Sequence, residues 1–423
     1  MRLDPFSPAY SRDPAAAWRR LLATGYTVGY DPALDLWLIG GHDNVRTVLA
    51  DTDRFSNAAT LAPIQAASPQ TRAVLAGIDA RPVSVTADRP EHLRTRAVLR
   101  ALFPTTPARA SQQWGPIVAA RTEELITSLA GRGTVDLMHF SVQLPLRVIL
   151  DVLGLPASDA ADIQAWTDDF AHLVWGNPTP DEQLACARSC VALWQYCQHT
   201  VEHRAAATQF GGGIVGDLLR YRNEDDAKLT VAEVAALTLN IVGAGSETTA
   251  AALGNALRHA LAEPGRWARL ARDDQYLAGF VEETLRHCPA IDGWLRLTLT
   301  DVTLDQVTIP AGSRCLVPIG TAGHDRDVYS QPHVFDPTRP RAGQHLAFGA
   351  GSHHCIGAAL ARLELTTALH LLARRVPNLT VDTSRPLTTR PSAALRQHRT
   401  MPAHPQQTGS CPIAHPSTEA GIR

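Results

Sequence analysis

The chain has 423 residues, 45% of them hydrophobic and 19% charged, and a formal net charge of −2. That composition is globular; it excludes a disordered chain, a nucleic-acid binder built on a basic surface and a polybasic membrane patch. Seven cysteines, an odd number in a long chain, argue against a disulfide framework.

Met1–Pro5 leads into a charged, proline-containing stretch with no apolar targeting core. Residues 13–23 read as a short helix. Tyr26 to Gly40 alternates, with turn signals at Asp31-Pro32 and Asp35, and predicts a β-hairpin ending in Leu36–Ile39. Asp43 to Leu49 reads as a helix, and residues 58–88 show no period. Pro90 then fits the first turn of a helix, with Asp88 as its cap. His92 and Arg96 are four apart and share one face of that helix. They form either an ordinary solvated basic face or a pair of cations for paired carboxylates.

Helical patterns fill 107–130, 138–153, 157–175 and 180–208, with a turn at Asn177–Pro180. Cys186, Cys190 and Cys197 lie on one face of the last of these; buried packing suits them better than a metal, since no histidine sits at a matching spacing. Thr230-Val231-Ala232-Glu233 is a capping box that starts a helix reaching about Glu263-Pro264. Within it, the uncharged run Val234–Ser246 is short of the roughly 20 residues a bilayer span needs. Gly243, Gly245, Glu247 and Thr248 occupy its middle. The small residues there make either a close helix–helix contact or a groove for a small ligand. A carboxylate among apolar neighbours is expensive unless paired or functional.

Glu283 and Arg286, three apart on the next helix, can pair. Gly293 to Pro318 turns to strands, and short strand-like pieces run from Pro377 to about Met401. Pro402 to Arg423, rich in Pro, Gln, Ser and Thr, reads as a disordered tail. No internal repeat is present. The remaining stretch, Phe348-Gly349-Ala350-Gly351-Ser352-His353-His354-Cys355-Ile356-Gly357, leads a cysteine to the start of a helix reading Ala358 to Leu372. A helix N-terminus eases thiol ionisation, so Cys355 is a nucleophile, a metal ligand or, in the plainest case, a buried structural thiol.

That stretch resembles the haem-binding loop of the cytochrome P-450 family, soluble bacterial type. Ala244-Gly245-Ser246-Glu247-Thr248-Thr249 is similar to the family's oxygen-activation motif, and Glu283-x-x-Arg286 with Arg339 to its structural ion-pair cluster. The resemblance covers about residues 5–400. It implies a mainly α fold with small β-sheets, a single catalytic domain over 1–401, and a tail at 402–423. It implies haem b with Cys355 as axial ligand, and Phe348, Gly349 and Gly357 around the sulfur. His92, Arg96, Arg296 and His353 would hold the propionates. Ala244 and Gly245 would leave room for dioxygen, with Glu247 and Thr248 as catalytic acid and alcohol. Gly323-His324-Asp325 departs from the family's more usual Asn-Arg-Asp.

The resemblance further implies a soluble, cytoplasmic monooxygenase acting on a small molecule, in specialised-metabolite biosynthesis. Electrons would come from a ferredoxin or flavodoxin-type donor with its reductase, with Arg94 and Arg100 as basic groups facing it. Oxidative coupling by the same centre, a haem sensor and a cysteine nucleophile are the competing readings. For substrate, Asn240, Gly243, Asp292, Gly293 and Trp294 are the candidates. An acid and an indole suit a polar or cationic ligand with a flat part, unless Asp292 caps a turn and Trp294 packs in the core.

Overall fold

The computed structural model describes residues 3–406, except Tyr26, Ala130, Thr208, Pro264 and Pro386. Its axis is the helix Val231–Leu261, 31 residues long, which spans roughly 45 Å at ~1.5 Å per residue. The capping box read from sequence starts it: Thr230 Oγ1 accepts from Glu233 N at 3.1 Å, and Glu233 Oε2 accepts from Thr230 N at 2.8 Å. Its buried face, including Val234, Leu237, Ile241, Leu253 and Leu257, packs on helices Leu137–Leu153, Pro180–Ala205 and Ala358–Arg375. The helices Pro107–Leu129 and Ala160–Trp175 complete this layer.

A five-stranded sheet closes the other side. Its order is Val28–Asp31, Leu36–Ile39, Arg314–Val317, Trp294–Thr298 and Phe55–Ser56. The expected hairpin is its first pair, with Val28 opposite Ile39. Leu36–Ile39 then runs parallel to Arg314–Val317, joining the two ends of the chain. The aperiodic stretch before residue 88 holds a short helix, Pro69–Leu75, capped by Ser68. Seven residues are too few to show a helical period.

Two expectations need correction. Asp88 does not cap the helix Glu91–Leu102; its carboxylate accepts from Asn57 N at 2.9 Å and from the Ser56 hydroxyl. The tail does not begin at 402. Pro402–Gln406 is the middle strand of a three-stranded sheet, between Val135–Asp136 and Asn378–Val381. Ala403 is fully buried there, opposite both Val135 and Val381. Pro402 opens the strand and Pro405 lies beyond the residues paired with Val135–Asp136, so neither proline breaks a two-sided ladder. Residues 407–423, with Cys411, lie outside the described residues.

Candidate active site

Between the middle of the central helix and the Cys355 loop lies a largely apolar cavity of about 310 Å³. The loop reaches it through two glycines in the left-handed region, Gly349 at φ 73° and Gly351 at φ 70°. A side chain at Gly351 would also put a Cβ 2.7 Å from Ala50 Cα. Cys355 N donates to Phe348 O at 2.8 Å, which folds the loop back on itself and turns the thiol into the cavity. Phe348 lines the same wall with the Arg362 guanidinium 4.5 Å from its ring centroid. Gly357 caps the helix Ala358–Arg375. The expected ease of ionisation is outweighed: burial raises the Cys355 thiol, and the Gly357 N–H with Arg96 and Arg362 only partly offsets it.

Two arginines and two histidines gather at one edge. Arg96, Arg296 and His353 line the cavity; His92 does not, but stacks on His353 at 3.7 Å between ring centroids. Burial, then Arg96 and Arg100, lower His92 to about 4; burial, then His92, Arg296 and Arg96, lower His353 to about 3. Arg296 is buried, and burial lowers it to about 10. Its Nη1 donates to Thr60 Oγ1 at 3.1 Å and to Leu295 O at 2.8 Å. Arg96 reaches the His354 carbonyl, while its Nε and His92 Nε2 are buried with no partner. Buried cations and orphaned donors around one cavity edge fit an anionic group with carboxylates.

The opposite wall is the central helix. Ala244, Gly245 and Thr248 line the cavity, and the Thr248 hydroxyl donates to Ala244 O at 2.7 Å. The two glycines differ. A Cβ at Gly243 would meet open space, but one at Gly245 would lie 2.7 Å from Ile149 Cγ1. Gly245 therefore serves the close helix–helix contact, and Gly243 leaves the open space. Glu247 points away, buried beside Ser246, Gln164 and Thr167, whose hydroxyl donates to Glu247 Oε1 at 3.1 Å. Burial and then the Asp168 charge push its carboxyl up to about 7, against Arg390, Thr167 and Gln397.

Of the substrate candidates, Asn240, Gly243 and Trp294 line the cavity and Asp292 and Gly293 do not. Asp292 is buried elsewhere, accepting from Tyr10 Oη at 3.1 Å with Arg396 4.0 Å away. Gly293 packs against Leu316 and the backbone of Val317 and Pro318. Residues not foreseen complete the wall: Phe170 and Trp175 from the helix Ala160–Trp175, with Thr60 and Leu61. Trp175 meets Trp294 edge to face at 6.1 Å and Phe170 likewise at 6.1 Å. The apolar face of their helix carries no signal separating a cavity wall from ordinary core.

The ion-pair cluster assembles as spaced. Arg286 holds Glu283 through two 2.8 Å bonds with both side chains fully buried, and Arg339 Nε reaches Glu283 Oε1 at 3.1 Å. Arg94 is not free for a partner; it pairs with Glu233 and donates to Lys228 O at 2.9 Å. Arg100 is exposed. Cys186, Cys190 and Cys197 are core residues whose thiols burial pushes up to about 11, 12 and 12.

The sequence profile described as Cytochrome P450 matches residues 167–399. Cytochrome P450 monooxygenase PikC of Streptomyces venezuelae is 32% identical over 89% of this chain and 86% of its own length. Cytochrome P450 107B1 of Saccharopolyspora erythraea is 33% identical over 83% and 84%. Among solved structures, cytochrome P450 CREJ in complex with (4-ethylphenyl) dihydrogen phosphate superposes with a TM-score of 0.89 at 27% identity, over 95% of this chain and 98% of that one.

Proposed function

This chain belongs to the cytochrome P450 family, oxidoreductases that act on paired donors with incorporation of oxygen, and on that premise we propose a role for each residue of the cavity. The family's cofactor is haem b with a cysteine thiolate ligand, and its reaction requires a substrate, dioxygen and an electron-transfer partner. When bound, the thiolate-ligated haem activates dioxygen by favouring O–O cleavage.

Cys355 would supply the thiolate that holds the haem iron, with Phe348, Gly349 and Gly357 around the sulfur. Arg96, Arg296 and His353 would hold the propionates, and His92 positions His353 by stacking. Across the cavity, the Thr248 hydroxyl, whose proton rests on Ala244 O, would turn that proton to the cavity where oxygen is reduced. Glu247, neutral below about pH 7, resupplies protons from the side of Thr167 and Asp168. Two electrons and two protons turn one oxygen atom into water while the other enters a C–H or C=C bond of the substrate.

The carrying observation is that one cavity is faced by a thiol on one wall, a helix-held hydroxyl on the other and two buried guanidiniums at its edge, Arg96 with an unpartnered Nε and Arg296. Phe170, Trp175 and Trp294 favour a flat, largely apolar substrate. With Asp292 turned away, nothing from that residue selects a cation. The setting of this reading is specialised-metabolite biosynthesis, with a separate ferredoxin or flavodoxin as donor and the exposed Arg100 on the surface that meets it.

Among the described residues no helix is long and apolar enough to cross a membrane. The test is the ferrous–carbon monoxide difference spectrum. Wild type should give the haem-thiolate band and Cys355→Ala should lose it; an unchanged spectrum in the variant would overturn the assignment.

A further inference from the structure

A second set of ligand-type atoms converges outside the cavity, at the C-terminal end of the helix Asp274–His287. His259 Nε2, from the central helix, and His287 Nδ1 each lie 3.4 Å from Cys288 Sγ. All three atoms fall within 4.8 Å of one another, and none of the three residues lines the cavity. Bond lengths of ~2.0–2.1 Å to nitrogen and ~2.3 Å to sulfur give nitrogen–sulfur edges of roughly 3.5 Å in a tetrahedral zinc site. The two observed edges are close to that before any ion is considered.

A hydrogen bond outside the cluster sets the tautomer of His287. His287 Nε2 lies 3.2 Å from His333 O. A carbonyl only accepts, so Nε2 carries the proton and Nδ1 presents a lone pair to the cluster. A metal-bound histidine has this same outer partner. The His259 ring is held by stacking on Phe335 at 4.1 Å between centroids and 10° between planes. A further imidazole adjoins the cluster: the His324 ring is 4.9 Å from that of His287, and its buried Nδ1 has no partner.

We propose that His259, His287 and Cys288 form a second metal site, for a zinc-class divalent cation, with solvent in the fourth position. One thiolate and two imidazoles select zinc over calcium or magnesium, which take oxygen ligands. Binding exchanges the Cys288 S–H proton for the ion and involves no redox change. The site ties the central helix to the segment that runs on through Ala290 and Ile291 to Trp294, all three on the cavity wall. Without an ion the same atoms can form a neutral triad, with Cys288 S–H donating to His287 Nδ1 and His259 Nε2–H donating to sulfur. That triad is the alternative the experiment must separate.

The holoprotein, loaded with zinc and dialysed, is measured for zinc per haem and by X-ray absorption at the zinc edge. About one zinc per haem is expected, with one sulfur and two imidazole nitrogens among its ligands. Cys288→Ser and His259→Gln should lose that zinc while keeping haem and the ferrous–carbon monoxide band, so the result does not depend on the haem assignment. A wild type retaining no zinc, or zinc with only oxygen and nitrogen neighbours, overturns the site and leaves the neutral triad. If either variant fails to hold haem, the absorption spectrum of wild type decides alone.

Discussion

His92 and His353 lie face to face, ring centroids 3.7 Å apart and planes 22° from parallel, beside Arg96. In this setting both imidazoles resist protonation, so Arg96 and Arg296 carry the positive charge of this edge. The cationic edge is thus built for a negatively charged occupant. A charge-assisted hydrogen bond is worth about 1.5–3 kcal/mol. Arg96→Ala and Arg296→Ala should each weaken haem retention roughly 10- to 100-fold, at ~1.4 kcal/mol per factor of ten. His92→Ala should do less, because His92 does not itself line the cavity. Haem-loss rates into an excess of a haem-scavenging apoprotein measure all three; equal losses at His92 and Arg96 would contradict the division of roles.

Glu247 gives a pH signature. Its carboxyl sits at about 7 instead of 4.5, so the folded state binds its proton more tightly than the unfolded one. That stabilisation is complete below pH 4.5 and is lost as pH rises through about 7. Glu247→Gln should therefore be no more stable than wild type at pH 4 and more stable at pH 8, by thermal melting. Turnover should fall about 10²-fold, with any inflection near pH 7 removed.

The two glycines of the central helix should respond in opposite ways to one added methyl. Gly245→Ala drives a Cβ to 2.7 Å from Ile149 Cγ1, an overpacking that costs ~1–3 kcal/mol. Gly243→Ala meets nothing within 4 Å and should gain ~0.5–1 kcal/mol of helix stability. It also shortens the cavity, so binding of large ligands should weaken. Denaturant melts and ligand titrations followed by spectral shift read both effects.

Acid stability should report on Glu282. Burial would raise this carboxyl, but His345 and Arg362 outweigh it and hold it at about 2, below its usual 4.5. The pairing stabilises the fold above pH 4.5 and is lost as pH falls towards 2. Glu282→Gln should be less stable than wild type at pH 7 and converge with it near pH 2. A constant gap across that range would assign the effect to packing instead.

What could be read from sequence was what is local. The Thr230–Glu233 capping box set the start of the central helix, and the glycine spacing around Cys355 marked the loop. What failed needed partners distant in the chain. Trp294 and Arg296 share the cavity face of one strand by two-residue alternation. Asp292 precedes the strand, so alternation does not place it, and Tyr10 and Arg396 draw it elsewhere. Arg94 read as a free cation because Glu233 is far away in sequence. His287, Cys288 and His259 carried no motif at all, since two helices bring them together.

The strand Pro402–Gln406 has a practical corollary for anyone producing this protein. Shortening the gene after codon 401 would pull the central plank from the sheet it shares with Val135–Asp136 and Asn378–Val381, stranding two ribbons that do not pair with each other. A purification handle belongs downstream of Gln406.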